Sequence, residues 1–271
     1  MRALALASLL FLLAPPPVAA VATPRDAYPD VARAYWVELD GKPLWAGQPD
    51  ARLPMASLAK LMTALLVAEN ADLEAKVTIG RGVLQETGSR LGLRAGDTAR
   101  AGDLLTATIV RSANDACRAL ADWRGGDQAR FVAIMNSRAA KLGLRNTRFA
   151  DACGHDAPTQ YSSVRDLAIL ARAAMKHRAI VDAARLPNFR FRSGAGREYR
   201  MNNTNALIGR YEGARGLKTG YTPGAGRCLI ALADRDGHEV LAVLLHAPER
   251  WWDSVGLLEL AFDEAKRRSR R

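Results

Sequence analysis

The chain has 271 residues, of which 49% are apolar and 25% are charged, and its formal net charge is +11 at neutral pH. This length and apolar content suit one large domain or two small ones with a buried core, and they argue against a disordered chain. The positive charge favours acidic partners. Nucleic acid is not expected among them, because no finger motif and no interleaving of aromatic with basic residues occurs.

The first 22 residues have the features of a secretory signal peptide. Arg2 precedes an apolar run over residues 3–13, and small residues at 18–22 offer a cleavage site. A membrane anchor is the alternative, but the run ends at prolines, short of the ~20 apolar residues that a bilayer span requires. The sequence therefore predicts an exported protein that is periplasmic or otherwise extracytoplasmic, and either soluble or peripherally attached to a membrane.

Strand patterns occur at both ends of the chain, with helical patterns between them. Residues 33–40 alternate and lead through the turn Asp40-Gly41 into 43–47, which predicts a hairpin. Apolar residues at helical spacing follow at 57–69, 101–124, 127–142 and 163–177. Strands return at 214–221, 227–234 and 239–246, before an amphipathic helix at about 252–267.

This order predicts an α/β (α+β) architecture. The terminal strands form one antiparallel sheet, the first and last helices pack on it, and the inserted helices form a second lobe. The predicted boundaries are a signal peptide at 1–22, a main domain at 23–265 and a basic tail at 266–271. The sheet lobe comprises about 30–56 and 200–265, the helical lobe about 70–185, and the cleft between the lobes is expected to hold the site.

The three cysteines lie among apolar or small residues. Their odd number leaves at least one thiol unpaired. The expectation is three buried cysteines without a disulfide, with a bridge between Cys117 and Cys153 as the alternative.

Ser57 and Lys60 form the first candidate catalytic pair. Their spacing places both on one face of the first predicted helix, within side-chain reach. A serine is a weak nucleophile until a base accepts its proton, and a lysine is such a base when burial lowers its pKa. The helix N-terminus adds amide donors where an oxyanion forms. Alone, S-x-x-K is more commonly a helix cap followed by a solvent-facing lysine.

The second candidate is the triplet Ser112-Ala113-Asn114, which interrupts an apolar helical stretch. Such polar groups need partners when they are buried. By itself, the triplet is also typical of an ordinary helix cap.

The third candidate lies on a late predicted strand and comprises Lys218, Thr219, Gly220 and Tyr221. A lysine and a hydroxyl group at a strand edge can bind a carboxylate, and Gly220 lets a peptide lie alongside. Alone, the segment is equally typical of an edge strand protected by a lysine.

In order and spacing, these S-x-x-K, S-x-N and K-T-G motifs resemble the D-alanyl-D-alanine carboxypeptidase family of low-molecular-weight penicillin-binding proteins. The resemblance covers about residues 30–262 and includes the segments 54–65, 87–89, 112–116, 131–149, 161–167, 203–205 and 216–228. It implies a β-lactamase/transpeptidase-like fold in which 23–265 is the serine D,D-peptidase catalytic domain.

The resemblance also implies a role for each motif residue. Ser57 is the nucleophile, Lys60 the general base, and Ser112 the group that passes a proton to the leaving amine. Asn114 holds the peptide amide, Lys218 and Thr219 hold the terminal carboxylate, and the backbone N–H groups of Ser57 and Tyr221 form the oxyanion hole beside Gly220. No metal or organic cofactor is expected, and the four histidines, which show no ligand spacing, are expected to be structural or surface residues.

The implied substrates are peptidoglycan stem peptides that end in D-Ala-D-Ala, with β-lactams as covalent inhibitors. A D,D-endopeptidase that cuts cross-links with the same residues is the nearest alternative. A serine β-lactamase is less favoured, because the middle motif is Ser-Ala-Asn and no convincing deacylating glutamate follows it. A non-catalytic domain that binds the wall or β-lactams has no need for both Ser57 and Lys60.

The sequence departs from the family pattern in three places. Ala113 stands where many members have glycine, and the loop at 154–160 differs before Tyr161. Larger relatives continue into a β-rich domain and an amphipathic membrane anchor. The basic residues of 266–271 are expected either to replace that anchor by peripheral contact with an anionic membrane or to form a solvated tail.

Overall fold

The computed structural model describes residues 28–270. The predicted signal peptide at 1–22 lies outside this range. Within it, no helix combines the length and the apolar character needed to cross a membrane.

Residues 28–270 form nine strands and seven α-helices. The strands are β1 (Ala34–Leu39), β2 (Lys42–Gly47), β3 (Lys76–Thr78), β4 (Thr98–Arg100), β5 (Asn188–Arg192), β6 (Glu198–Asn202), β7 (Ala214–Thr222), β8 (Gly226–Arg235) and β9 (His238–Leu245). The helices are α1 (Lys60–Asn70), α2 (Ala101–Val110), α3 (Asn114–Gly125), α4 (Gln128–Lys141), α5 (Val164–Ala174), α6 (Arg178–Arg185) and α7 (Arg250–Ser269).

The central sheet joins the two ends of the chain, as the strand patterns predicted. Its five antiparallel strands have the order β2-β1-β9-β8-β7. All six residues of β1 are buried, because both faces of the sheet are covered. Val37 and Leu244 belong to the core under α7, whereas Trp36 and Val243 belong to the core shared with the helical lobe. Full burial of one such aliphatic side chain contributes about 1.5 to 3 kcal/mol, so both layers stabilise the sheet.

The packing on the sheet differs in one respect from the prediction. The last helix, α7, does contact β1, β8 and β9. On the other face, the contacts come from α5, from α6 and from a 3-10 turn at Ala56–Ala59, whereas α1 packs among α2, α3 and α5. The first helix is displaced because the turn that precedes it occupies the space beside β7 and β8.

The helical stretch predicted at 101–124 consists of two helices. Between α2 and α3, Ser112 has a φ of 58°, in the left-handed region that an α-helix excludes. The polar triplet therefore divides the stretch and turns Ser112 toward the cleft.

The hairpin of β5 and β6 was not predicted. On one of its faces Phe191, Tyr199 and Met201 are buried, and the rings of Phe191 and Tyr199 stack with centroids 5.1 Å apart. The opposite face carries exposed arginines, of which Arg190 and Arg200 lie directly across from each other. The hairpin forms its own two-stranded sheet, apart from the central one.

Candidate active site

Ser57 and Lys60 lie within hydrogen-bond distance where the 3-10 turn passes into α1. Ser57 belongs to the turn and Lys60 is the first residue of the helix. The prediction placed both residues on one α-helix, whereas the structure places only Lys60 there. Nζ of Lys60 lies 2.9 Å from Oγ of Ser57 and also donates to the backbone oxygen of Cys153. Lys60 is fully buried.

Burial lowers the pKa of Lys60 to about 7, because the ammonium group loses its hydration. The negative charges of Asp151 and Glu86 oppose this shift but do not cancel it. A substantial fraction of Lys60 is therefore uncharged near neutral pH and able to accept a proton from Ser57. This is the activation that a serine nucleophile requires.

The turn that carries Ser57 has a constrained backbone. Ala56 has a φ of 49°, a conformation that residues with a Cβ rarely adopt. Gly154 packs directly on this turn, where a Cβ would overlap the carbonyl oxygen of Ala56 and lie 2.9 Å from Cα of Ser57. Only glycine fits there, so the loop at 151–160 is pressed against the candidate nucleophile.

Ser112 contacts the second buried lysine of the site. Nζ of Lys218 donates to Oγ of Ser112 at 2.9 Å and to the backbone oxygen of Thr219, the next residue in the chain, at 2.9 Å. Burial, and then the positive charges of Lys60 and Arg250, hold the pKa of Lys218 well below its usual range. The two lysines therefore interact electrostatically across the cleft.

Asn114 is the first residue of α3 and is buried. Its Nδ2 donates to the backbone oxygen of Thr87 at 2.5 Å, and its backbone N–H donates to the oxygen of Ser89 at 2.7 Å. These bonds fix the side-chain amide and leave its Oδ1 as an acceptor at the cleft.

The K-T-G segment lies on β7, the edge strand of the central sheet. Oγ1 of Thr219 lies 2.8 Å from Oγ1 of Thr204. The reason for glycine at 220 differs from the predicted one, because an added Cβ would lie 3.1 Å from Cβ of Ala56 and 3.2 Å from the oxygen of Met55. Gly220 therefore admits the turn that carries Ser57, and its predicted role beside a bound peptide stays a prediction.

The motifs meet around one cavity of about 530 Å³. Of the eight predicted site residues, six line it: Ser57, Ser112, Asn114, Thr219, Gly220 and Tyr221. The other two, Lys60 and Lys218, lie behind the wall and reach it through their contacts with Ser57 and Ser112. The structure thus brings together residues from three distant parts of the chain.

Arg250 also lines this cavity and was not singled out from the sequence. It begins α7, and its guanidinium donates to the backbone oxygen of Gly220 at 2.7 Å. Burial, followed by repulsion from Arg227, lowers its pKa, yet an arginine remains charged near neutral pH. It adds a fixed positive charge to the cavity beside Gly220.

His155 lines the cavity as well, a position that the sequence did not single out. Its Nε2 lies 2.7 Å from Oε2 of Glu86, a buried carboxylate whose Oε1 lies 3.5 Å from Arg118. The hydrogen bond to Glu86 is the main reason why the pKa of His155 is raised. The pair places an imidazole whose charged form is favoured by Glu86 at the cleft.

The expectation of three unpaired cysteines is also wrong. Cys117 of α3 and Cys153 form a disulfide with their Cα atoms 5.9 Å apart. Cys228 is buried and unpaired, and burial raises the pKa of its thiol to about 11. Because the backbone oxygen of Cys153 accepts from Lys60, the disulfide ties this acceptor to the helix that carries Asn114.

A serine activated by a buried lysine, beside a second lysine on a sheet edge, is the site of the serine enzymes that penicillin acylates. Solved structures of this class are similar to the chain over nearly all of their length. The DD-transpeptidase of Streptomyces K15 is 30% identical with a TM-score of 0.81, over 90% of this chain and 100% of that one. Penicillin-binding protein D2 of Listeria monocytogenes, in its ampicillin-bound form, is 31% identical with a TM-score of 0.75, over 88% and 100%.

The chain belongs to the D-alanyl-D-alanine carboxypeptidase family, whose model matches residues 26–249. This confirms the resemblance and the fold class predicted from the motifs. Among curated relatives, D-alanyl-D-alanine carboxypeptidase DacC of Escherichia coli is 37% identical over 256 residues, which cover 88% of this chain and 62% of that protein. DacF of Bacillus subtilis is 33% identical, over 85% and 62%. The chain therefore spans about three fifths of the length of these two relatives.

Proposed function

We propose that this chain is a serine-type D-alanyl-D-alanine carboxypeptidase that removes the terminal D-alanine from peptidoglycan stem peptides. The observation that carries the proposal is the contact of 2.9 Å between Ser57 and a buried Lys60 whose pKa is about 7. A lysine kept partly unprotonated near neutral pH beside a serine hydroxyl has no use in a binding domain, but it is required for nucleophilic attack. Family membership supports the same reaction.

In the proposed reaction, Oγ of Ser57 attacks the carbonyl carbon between the two D-alanines while its proton passes to Lys60. The C–N bond then breaks as Ser112, in contact with Lys218, gives its proton to the leaving amine and takes in its place the proton that Lys60 received from Ser57. D-Alanine departs and leaves an ester on Ser57. A water molecule then hydrolyses this ester and restores the serine.

The cavity supplies binding groups for each part of such a substrate. The carboxylate of the terminal D-alanine is held by Thr219, by Lys218 behind it and by the positive charge of Arg250. Oδ1 of Asn114 accepts the N–H of the acylated peptide. The backbone N–H groups of Ser57 and Tyr221 stabilise the oxyanion, a contribution of about 3 to 4 kcal/mol per donor in other acyl-transfer enzymes.

A labelled penicillin tests this assignment directly. A β-lactam amide replaces the D-Ala-D-Ala peptide bond, so the label is expected on the peptide that contains Ser57, as read by mass spectrometry. The Ser57→Ala variant is expected to lose both the label and the release of D-alanine while its circular dichroism stays unchanged. Labelling that survives in this variant would show that Ser57 is not the nucleophile.

The D,D-endopeptidase alternative uses the same residues, so it is separated by its products. The carboxypeptidase is expected to release free D-alanine from uncross-linked muropeptides faster than it converts cross-linked dimers to monomers. The opposite order would assign the site to cross-link cleavage.

We further propose that the protein works outside the cytoplasm, with its substrate. The disulfide between Cys117 and Cys153 supports this location, because disulfides persist in oxidising compartments. The exposed basic residues at the end of α7 support peripheral contact with an anionic membrane.

A further inference from the structure

A second cavity, of about 490 Å³, lies beside the cleft and is rich in arginine. We call it the arginine groove, and its lining is formed by Arg90, Leu91, Arg111 and the consecutive residues 197–202. Four exposed arginines line it (Arg90, Arg111, Arg197 and Arg200), together with a single carboxylate, that of Glu198. The groove therefore has an excess of positive charge that the proposed reaction does not use.

The arginine groove adjoins the cleft along three chain segments. Ser89 lines the cleft while Arg90 lines the groove, and Ser112 and Arg111 divide in the same way. The third segment runs from Asn202 in the groove to Thr204 in the cleft. Oγ of Ser89 donates to the backbone oxygen of Arg111 at 2.9 Å, and this hydrogen bond holds the first two segments together between the cleft and the groove. The cleft and the groove therefore adjoin along these three segments.

The other wall of the groove is the free edge of β6. The hairpin has only two strands, so the outer edge of β6 is not paired with a strand among residues 28–270. The backbone hydrogen bonds from Ser193 to Arg197 and from Asn203 to Pro187 show which residue pairs of the hairpin are hydrogen-bonded to each other across the two strands. By the alternation of an antiparallel ladder, the N–H and C=O groups of Glu198 and Arg200 face outward, into the groove. They are hydrogen-bonding groups that suit a peptide backbone.

The guanidinium groups on the two walls are only partly neutralised. Arg200 forms an ion pair with Glu198 at 2.7 Å, and Arg197 lies over the ring of Tyr199. Arg111 forms no ion pair with any residue of 28–270, and Arg90 donates to the backbone oxygen of Glu86. One carboxylate among four guanidiniums leaves the groove suited to carboxylate groups, which arginine binds in a planar, two-pronged geometry.

We propose that the arginine groove binds the carboxylate-bearing stretch of a peptidoglycan stem peptide whose D-Ala-D-Ala end occupies the cleft. This inference rests on the proposed function and adds the substrate class, an acidic rather than an amidated stem. The carboxylates belong either to the hydrolysed stem itself or to a second stem cross-linked to it. A concave groove walled by a strand edge fits an extended chain better than a flat layer of lipid headgroups.

Two matched substrates test the proposal, a pentapeptide with an acidic second residue and the same peptide with that carboxylate amidated. The wild type is expected to hydrolyse the acidic peptide with a kcat/KM about fivefold higher than that of the amidated peptide, mainly through a lower KM. This ratio corresponds to the free energy of one exposed ion pair. In the double variant Arg111→Ala with Arg200→Ala, the two peptides are expected to become equal. The matched control is Arg190→Ala, since Arg190 lies opposite Arg200 on the hairpin but does not line the groove.

Several outcomes overturn the proposal. The first is equal kcat/KM in the wild type for the acidic and amidated forms of both the pentapeptide and the cross-linked dimer, and the second is the same loss in Arg190→Ala as in the double variant. A third is a double variant that loses binding to vesicles of anionic lipid but keeps its preference for the acidic peptide, which would make the groove a headgroup site. A preference confined to cross-linked dimers, lost in the double variant, supports the proposal with the second stem as the source of the carboxylates.

Two further measurements separate this inference from the proposed function. A diacylated tripeptide that carries only its terminal carboxylate is expected to be hydrolysed equally by the wild type and the double variant. If neither the wild type nor the double variant hydrolyses this tripeptide, the result contradicts the proposed function but not the inference about the groove. Binding of the acidic and amidated pentapeptides, and of the corresponding cross-linked dimers, to the Ser57→Ala protein then tests the groove without catalysis, and equal affinities within both pairs overturn it.

Discussion

Two buried lysines share the cleft, and their partners give them different tasks. Lys60 bonds to the hydroxyl of Ser57, whereas Lys218 bonds to that of Ser112 and lies on the strand that carries Thr219. Burial lowers the pKa of both lysines, and the positive charge of Lys60 lowers the pKa of Lys218 further, so a proton on Lys60 disfavours a proton on Lys218.

Replacement of Lys60 by arginine separates a base from a mere cation. Arginine retains the positive charge but does not give up a proton near neutral pH. We expect Lys60→Arg to slow acylation by penicillin by about a hundredfold or more, the range of a lost general base. Stopped-flow acylation rates measure this, and a near-normal rate would make Lys60 only a structural cation.

The pH dependence of acylation follows from the charges around Lys60. Its neutral form is the base, so the wild-type rate is expected to rise with pH through about 7. The charge of Glu86 favours the ammonium form of Lys60, so Glu86→Gln lowers this pKa and moves the rise to lower pH. The same variant is expected to lower the pKa of His155, which NMR titration reads. Glu198→Gln, in the arginine groove, is the control, and an unshifted profile in Glu86→Gln refutes the coupling.

The sequence predicted the motif residues but not the side chains that complete the cleft. Ser57 and Lys60 are three positions apart, so local spacing was sufficient to pair them. Glu86 and His155 lie 69 positions apart, and Arg250 lies 30 positions from the backbone oxygen that it contacts. Such pairs become visible only when the tertiary fold brings their elements together.

At the scale of elements, the loop at 151–160 connects both lobes to the nucleophile. Asp151 accepts hydrogen bonds from the backbone of Cys153 and His155, at 2.8 and 3.0 Å. Farther along, Asp156 accepts from Oγ1 of Thr222 at 2.6 Å, beyond the end of the K-T-G segment. The loop thus sets the position of the cleft walls as well as that of the backbone oxygen that contacts Lys60.

Loss of the disulfide is expected to loosen this loop. The bridge closes a chain separation of 36 residues, and its removal typically costs about 2 to 4 kcal/mol of stability. We expect Cys117→Ala with Cys153→Ala to lower the melting temperature and to slow acylation. Reductant should reproduce both effects in the wild type. It should do the same in the control variant Cys228→Ala, because Cys228 is unpaired and its loss leaves the disulfide intact. A wild type insensitive to reductant in the unfolding assay contradicts this prediction.

Of the elements, the central sheet was predicted and the hairpin of β5 and β6 was not. The strands of the sheet are bounded by clear turns such as Asp40-Gly41 and Asp236-Gly237, which carry a strong local signal. The hairpin has the alternating pattern N-F-R-F-R, but it follows a helix directly and has a looser turn at 193–197. The disulfide had no local signal at all, since residue spacing does not determine cysteine pairing.

At the scale of the whole molecule, positive charge is concentrated at the end of α7. Lys266, Arg267 and Arg268 are exposed, although Arg267 and Arg268 both bond to Glu264, which offsets part of their charge. The predicted tail at 266–271 is thus helical as far as Ser269. It presents its charges from a rigid helix end, rather than from a free segment.

Truncation after Ala265 tests the membrane contact. The full chain is expected to bind vesicles of anionic lipid at low salt, with about 1 kcal/mol from each basic residue near the surface. It should detach as the Debye length falls toward about 3 Å at 1 M salt. The truncated chain should not bind, yet should still hydrolyse a small D-Ala-D-Ala substrate, because no motif lies near α7's end. Equal vesicle binding by both proteins, or by neither, excludes this contact.

The pairing of β1 with β9 determines when the molecule becomes complete during its synthesis. The carboxylate of Asp40, just after β1, accepts from the backbone N–H of Glu239, 199 positions later. Contacts so distant in sequence form late, whereas the local contacts of the helical lobe form early. Ser57 is made in the first quarter of the chain, yet the strand that carries Lys218 arrives near its end. A growing chain therefore carries Ser57, the candidate nucleophile, for most of its synthesis without the cleft in which this serine lies.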